Sequence, residues 1–78
     1  MTDTTLRYIK MLDSLPTAPR KITAREVKEK LEAAGHAISA RSVERDLEKL
    51  AAVFPIARDD RNRPYGWSWL KDASRVDI

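Results

Sequence analysis

The chain contains no cysteine. That absence excludes a disulfide framework, thiolate zinc sites and a cysteine nucleophile together, and it fits a reducing compartment. No apolar run approaches the roughly 20 residues that a membrane-spanning helix needs. The opening "MTDTTLRYIK" lacks the basic-then-apolar order of a secretory signal. A cytoplasmic protein with no membrane contact is therefore expected. Histidine occurs once, as His36, with no partner at metal-ligand spacing, so a turn residue is the better reading than a ligand. The acids are scattered along helix surfaces, and no Gly-rich phosphate loop or nucleophile constellation occurs. These absences point to a protein that is not an enzyme and carries no metal or cofactor.

What is present is a chain of 78 residues, which is one domain's length with a small core and a thin margin of stability. Fifteen Lys and Arg against twelve Asp and Glu give a net charge of +3. The pI near 9.5 fits a nucleic-acid partner but does not single one out. Placement of the charge says more. "PIARDDRNRPY", Pro55 to Tyr65, is crowded with charge, whereas from Lys28 to Glu48 the signs alternate as on a solvated helix.

Apolar spacing predicts three helices. The first runs from about Thr4 to Leu15, with Tyr8, Ile9, Leu12 and Leu15 as its stripe, Leu6 and Met11 at the stripe's edges, and Pro16 as its stop. The second opens with a capping box, Thr23 with Glu26, and a staple of Ile22 on Val27. It buries Ala24, Val27, Leu31 and Ala34 and ends at Gly35. The third is capped by Ser39, with Ile38 and Val43 as its staple and Val43, Leu47 and Leu50 facing inward. Two capped helices joined by the short link "GHAIS" form a helix-turn-helix pattern.

After Ala52 the period changes to two. Phe54, Ile56 and Arg58 alternate with Pro55 and Ala57, and Tyr65, Trp67 and Trp69 share a strand face opposite Gly66, Ser68 and Leu70, with "DDRNRP" as the turn. The expected fold is mainly α with a small β-hairpin, a winged helix-turn-helix of three helices and a two-stranded wing. Residues 1–70 form the domain, and "KDASRVDI", 71–78, is a tail or the start of a linker to an absent C-terminal region.

The third helix poses a question of charge. Stepping about 100° per residue from Val43 puts Arg41 at about 160° and Arg45 at about 200°, opposite the core. Ser42 and Lys49 lie to one side, Glu44 and Glu48 to the other. Arg41 could pair with Glu44 and Arg45 with Glu48 at i,i+3, which would make the face merely a solvated one. Alternatively, the first turns of a second helix-turn-helix helix meet base edges in the major groove, where a guanidinium can pair bidentately with guanine. Ser39 and the helix N-terminus offer amides to phosphate. In the hairpin, Arg58, Arg61 and Arg63 attract phosphate while Asp59 and Asp60 repel it. Asp46, beside the buried stripe, is expected to be a structural ion-pair or hydrogen-bond partner. Trp67 and Trp69 could stack on bases, but closing the core is the better reading of at least one.

The stretch "ITAREVKEKLEAAGHAISARSVERDLEKLAAVFPI", followed by "PYGWSW", resembles the N-terminal winged helix-turn-helix of bacterial WYL-domain transcriptional regulators. The motif that carries the resemblance is S-x-R-S-V-x-R-D-L-x-x-L, Ser39 to Leu50, with "FPI" and the tryptophan-bearing strand. The Arg-Asp-Leu helix alone is shared more widely among DeoR-like regulators. The likeness spans about Leu6 to Asp72. It implies sequence-specific binding of double-stranded DNA by a regulator, as a repressor first of all. The third helix, 39–52, would enter the major groove through Ser39, Arg41, Ser42 and Arg45, with the wing, 54–70, on the backbone. Thr23, Arg25, Lys49, Arg58, Arg61 and Arg63 complete the candidate DNA-contacting set. The family continues into a WYL ligand-sensing domain that this sequence does not include, so a homodimer is expected only in a longer parent and the ligand is unknown. Two rivals stand beside this reading: a winged-helix protein-interaction or dimerisation module, and a single-strand or RNA binder using Tyr65, Trp67 and Trp69.

Overall fold

A computed structural model describes residues 3–61 and 63–70 of the chain; the expected tail, 71–78, lies outside them. Three helices and three strands follow in the order α1 (Asp3–Ser14), β1 (Ile22–Thr23), α2 (Ala24–Ala33), α3 (Ala40–Ala51), β2 (Ile56–Asp59) and β3 (Gly66–Trp69). The fold is a small α+β unit in which the helices pack on one antiparallel sheet, ordered β1–β3–β2.

The helix signals act where the sequence places them. The Thr23 hydroxyl accepts from the Glu26 amide at 3.2 Å, while the Glu26 carboxylate accepts from the Thr23 amide at 3.1 Å, so the capping box is complete. Ala24, Val27 and Leu31 are buried, but Ala34 is exposed because it is already the C-cap and turns away from the core. The helix then closes in a Schellman turn. The Gly35 amide donates to Glu32 O at 3.0 Å, the His36 amide donates to Leu31 O at 2.8 Å, and Gly35 takes φ +92°. Ser39 caps α3, accepting from the Ser42 amide at 3.2 Å, and Val43, Asp46, Leu47 and Leu50 face inward.

In α1 the stripe is rotated relative to expectation. Met11, expected at its edge, is fully buried with Leu12 and Leu15, whereas Tyr8 and Ile9 are half-buried and Leu6 is exposed. Met11 is therefore core and not surface.

The larger correction is the sheet. A two-stranded hairpin was expected; a third strand, β1, lies on the far side of β3, with Ile22 opposite Trp67 and Thr23 opposite Gly66. On the near side Ile56 faces Trp69 and Arg58 faces Trp67. A strand of two residues has no alternation to detect, so its pattern is invisible in the sequence. The loop after α1 extends the same edge. The Trp69 amide donates to Pro16 O at 2.8 Å, and the Ala18 amide donates to Trp69 O at 2.9 Å.

Directly opposite residues share a sheet face, so Ile22, Ile56, Trp67 and Trp69 all point into the core, and each is buried. Tyr65 does not join them; it is half-buried at the sheet's end. The Trp69 indole Nε1 donates to Leu12 O at 3.1 Å, and Phe54 meets its ring edge-on at 6.3 Å between centroids. The Trp67 indole nitrogen is also buried but makes no hydrogen bond to another described residue. Asp46, the buried acid, accepts from Arg7 Nη2 at 3.1 Å, tying α3 to α1 as expected of a structural residue.

Trp67→Ala is expected to cost about 3–5 kcal/mol, a loss comparable to the stability of a small domain. Trp69→Phe should cost more than Trp67→Phe, by the worth of one hydrogen bond, about 1 kcal/mol. Urea denaturation followed by circular dichroism measures both; equal costs for the two Phe variants would mean that the bond to Leu12 contributes nothing.

Candidate nucleic-acid interface

The outward face of α3 begins at its cap. Ser39 Oγ donates to Ser42 Oγ at 3.0 Å, so the two serines order each other at the helix entrance. Arg41 and Arg45 are exposed on the side away from Val43 and Leu47. Neither makes an ion pair with another described residue. The i,i+3 pairs with Glu44 and Glu48 are therefore not formed. Glu48 is taken instead by Arg58, whose Nη1 donates to its Oε1 at 2.9 Å. The hairpin supplies a guanidinium that is already restrained, because Arg58 also sits 4.9 Å from the centroid of the Tyr65 ring. Lys49 is exposed and likewise without an ion pair among the described residues.

Of the hairpin's other cations, Arg61 is committed within the chain. Arg61 grips Asp59 with two bonds, Nε to Oδ1 at 3.0 Å and Nη2 to Oδ2 at 2.8 Å. Lys21 Nζ reaches the same Oδ2 at 2.8 Å from the end of the first loop. Arg58 has Asp60 at 3.8 Å as a second, looser partner. Arg63 makes no ion pair with another described residue and lies 5.5 Å from the Tyr65 ring centroid. Tyr65 thus carries two guanidiniums, and with Glu44, Arg63 and Pro64 it lines an open groove of about 170 Å³ between α3 and the hairpin. Near the start of α2, the Thr23 hydroxyl is engaged in its cap, and Arg25 is exposed with only a 3.8 Å contact to Glu29.

The structure therefore brings Ser39, Arg41, Ser42, Arg45 and Lys49 onto one helix. Arg58, Arg61 and Arg63 belong to the hairpin, with Arg58 bridged to α3 and Arg61 to Asp59. Lys21 escapes sequence reasoning. It stands 38 positions from Asp59, and only the pairing of β1 with β3 brings the two together. Glycine at 66 makes this possible. The place its side chain would occupy is filled by the Lys21 stem, with Cδ at 2.5 Å from the position a Cβ would take.

The hydrogen bonds from the Arg61 guanidinium, then the Lys21 ammonium and the Arg61 amide, hold the Asp59 carboxyl far below the usual carboxylate range. Arg61 is raised in turn by the same carboxylate. Among the described residues no group of three His, Cys, Asp or Glu is placed to hold a metal ion, and no helix is long and apolar enough to cross a membrane. Set against known proteins, the chain matches no family model, no curated sequence and no solved structure.

A depressed folded-state pKa gives stability that is complete above the unfolded value, about 3.9 for Asp, and is lost as pH falls below it. Asp59→Asn should accordingly melt below wild type at neutral pH by a small margin, since the cluster is at the surface. The gap should narrow once the pH drops below about 4. Melting curves recorded across that range check the prediction; a gap that stays constant into acid would show that the carboxylate's charge is not what matters.

Proposed function

We propose that this α+β unit is a winged helix-turn-helix of the kind borne by WYL-domain regulators, and that it binds double-stranded DNA sequence-specifically as a bacterial transcriptional regulator. In this reading α2 and α3 are the helix-turn-helix and β2–β3, backed by β1, is the wing. The protein is cytoplasmic, not an enzyme, and acts first of all as a repressor. The observation that carries the reading is the pair of guanidiniums on α3. Arg41 and Arg45 stand exposed, with no ion pair among the described residues, beside acids that could have neutralised them. A free guanidinium on the first turns of such a helix is suited to the O6 and N7 edge of guanine. Ser39, Ser42 and Lys49 flank it with donors for phosphate, and Arg25 lies on the crossing helix.

The wing has a narrower role than its arginine count implies. Arg61 is engaged by Asp59, so Arg63 is the wing cation best placed to meet backbone phosphate. A single winged helix covers a half-site, and tight binding to an inverted repeat requires two copies joined in a longer parent.

The rival reading, a protein-interaction module, draws on the exposed aliphatic side chains of Val53 and Leu70, which flank the strand start where the Leu70 amide meets Pro55 O. A salt titration separates the two, because DNA binding falls steeply with salt and apolar docking does not. Base stacking by Trp67 and Trp69 has no support, since both rings are 2% exposed.

Arg41→Ala and Arg45→Ala should each cost about 1–3 kcal/mol of specific affinity while the circular dichroism spectrum is unchanged. Anisotropy on a duplex selected from a random library measures this, and undiminished binding by both folded variants would remove α3 as the reading element. Arg63→Ala should weaken all duplexes alike and reduce the salt slope by about 1, with Arg61→Ala having the smaller effect. A loss confined to one sequence would show that Arg63 contacts a base.

A further inference from the structure

The acids of α2, α3 and the sheet are almost all engaged. Glu26 closes its cap, Glu29 and Glu32 meet Arg25 and Lys28, and Asp46 holds Arg7. Glu48 holds Arg58, Asp59 holds Lys21 and Arg61, and Asp60 lies near Arg58. Glu44 is the exception: among the described residues it has no hydrogen-bond or ion-pair partner. It is exposed on the second turn of α3, beside Arg45 and on the side that faces the hairpin, where it lines the groove with Arg63, Pro64 and Tyr65.

A free carboxylate on a surface that meets a polyanion repels it, and that repulsion is uncompensated unless the carboxylate finds a donor. The major groove offers one. The N4 amino group of cytosine is a donor without an adjacent acceptor, whereas adenine sets N7 beside N6, and guanine shows acceptors only. Arg63 across the groove adds positive potential that tolerates the carboxylate near phosphate. We infer that Glu44 is a specificity-determining residue that accepts from cytosine N4 in the operator. This rests on the DNA-binding reading above, and it adds an acidic reader to the two arginines.

The test is duplex selection from a random library with wild type, Glu44→Ala and Glu44→Gln, each checked for folding by circular dichroism. Glu44 is exposed and buries nothing in the core, so both variants keep the fold. Wild type should enrich a motif with a cytosine that Glu44→Ala no longer prefers, a loss of about tenfold discrimination at that base pair alone. Glu44→Gln should move the preference there toward adenine, because an amide can both accept from N6 and donate to N7. If Glu44→Ala selects the wild-type motif and merely tightens binding to every duplex, Glu44 only repels phosphate and the inference is wrong. If wild type enriches no motif, the DNA-binding reading itself fails and takes this inference with it.

Discussion

The position of Trp69 is the constraint on which the other elements depend. Its indole donates to the last turn of α1 through Leu12 O, its backbone pairs with Pro16 and Ala18 on one side, and Ile56 lies opposite it on the other. Helix, loop and hairpin are thereby fixed relative to one another by a single residue. Burial of the ring supplies the driving force; the hydrogen bonds supply the orientation, since an apolar contact alone would let the ring slide. With β3 held in this way, Trp67 is directed into the core and Arg58 is exposed within reach of Glu48.

Much of this architecture could be read from local rules. The caps at Thr23 and Ser39, the stop at Gly35 and the inward series Val43, Leu47, Leu50 depend on a few neighbouring residues, and they are where the sequence pattern places them. Asp46 as a structural partner was legible because it sits among apolar neighbours on the same face. What could not be read depends on tertiary register. The strand Ile22–Thr23 is too short to show a period, and Met11 is buried because of how α1 is rotated against the other elements, which its own stripe does not specify. Arg41 and Arg45 were visible as an exposed pair, but that Glu48 is taken by Arg58, ten residues further along, follows from the tertiary fold and not from the helix's own pattern.

That dependence also sorts the cations. Counting Lys and Arg by segment makes the hairpin look like the more strongly basic surface. Internal pairing reverses the ranking: Arg61 and Arg58 are occupied, which leaves Arg63 on the hairpin, whereas α3 keeps Arg41, Arg45 and Lys49 without an ion pair among the described residues. Exposed pairs of this sort add little to stability. Their effect is on which charges remain available to a partner.

The seat that Gly66 provides for Lys21 couples two positions that no local rule connects. Any side chain at 66 would displace the lysine stem and withdraw the ammonium from Asp59, leaving Arg61 as the remaining cation on that carboxylate. Shortening residue 21 first would clear the space, so the two changes are not additive, as befits residues in direct contact. The order in which substitutions arrive therefore matters: a chain that has already lost the long side chain at 21 is free to vary at 66, and one that retains it is not.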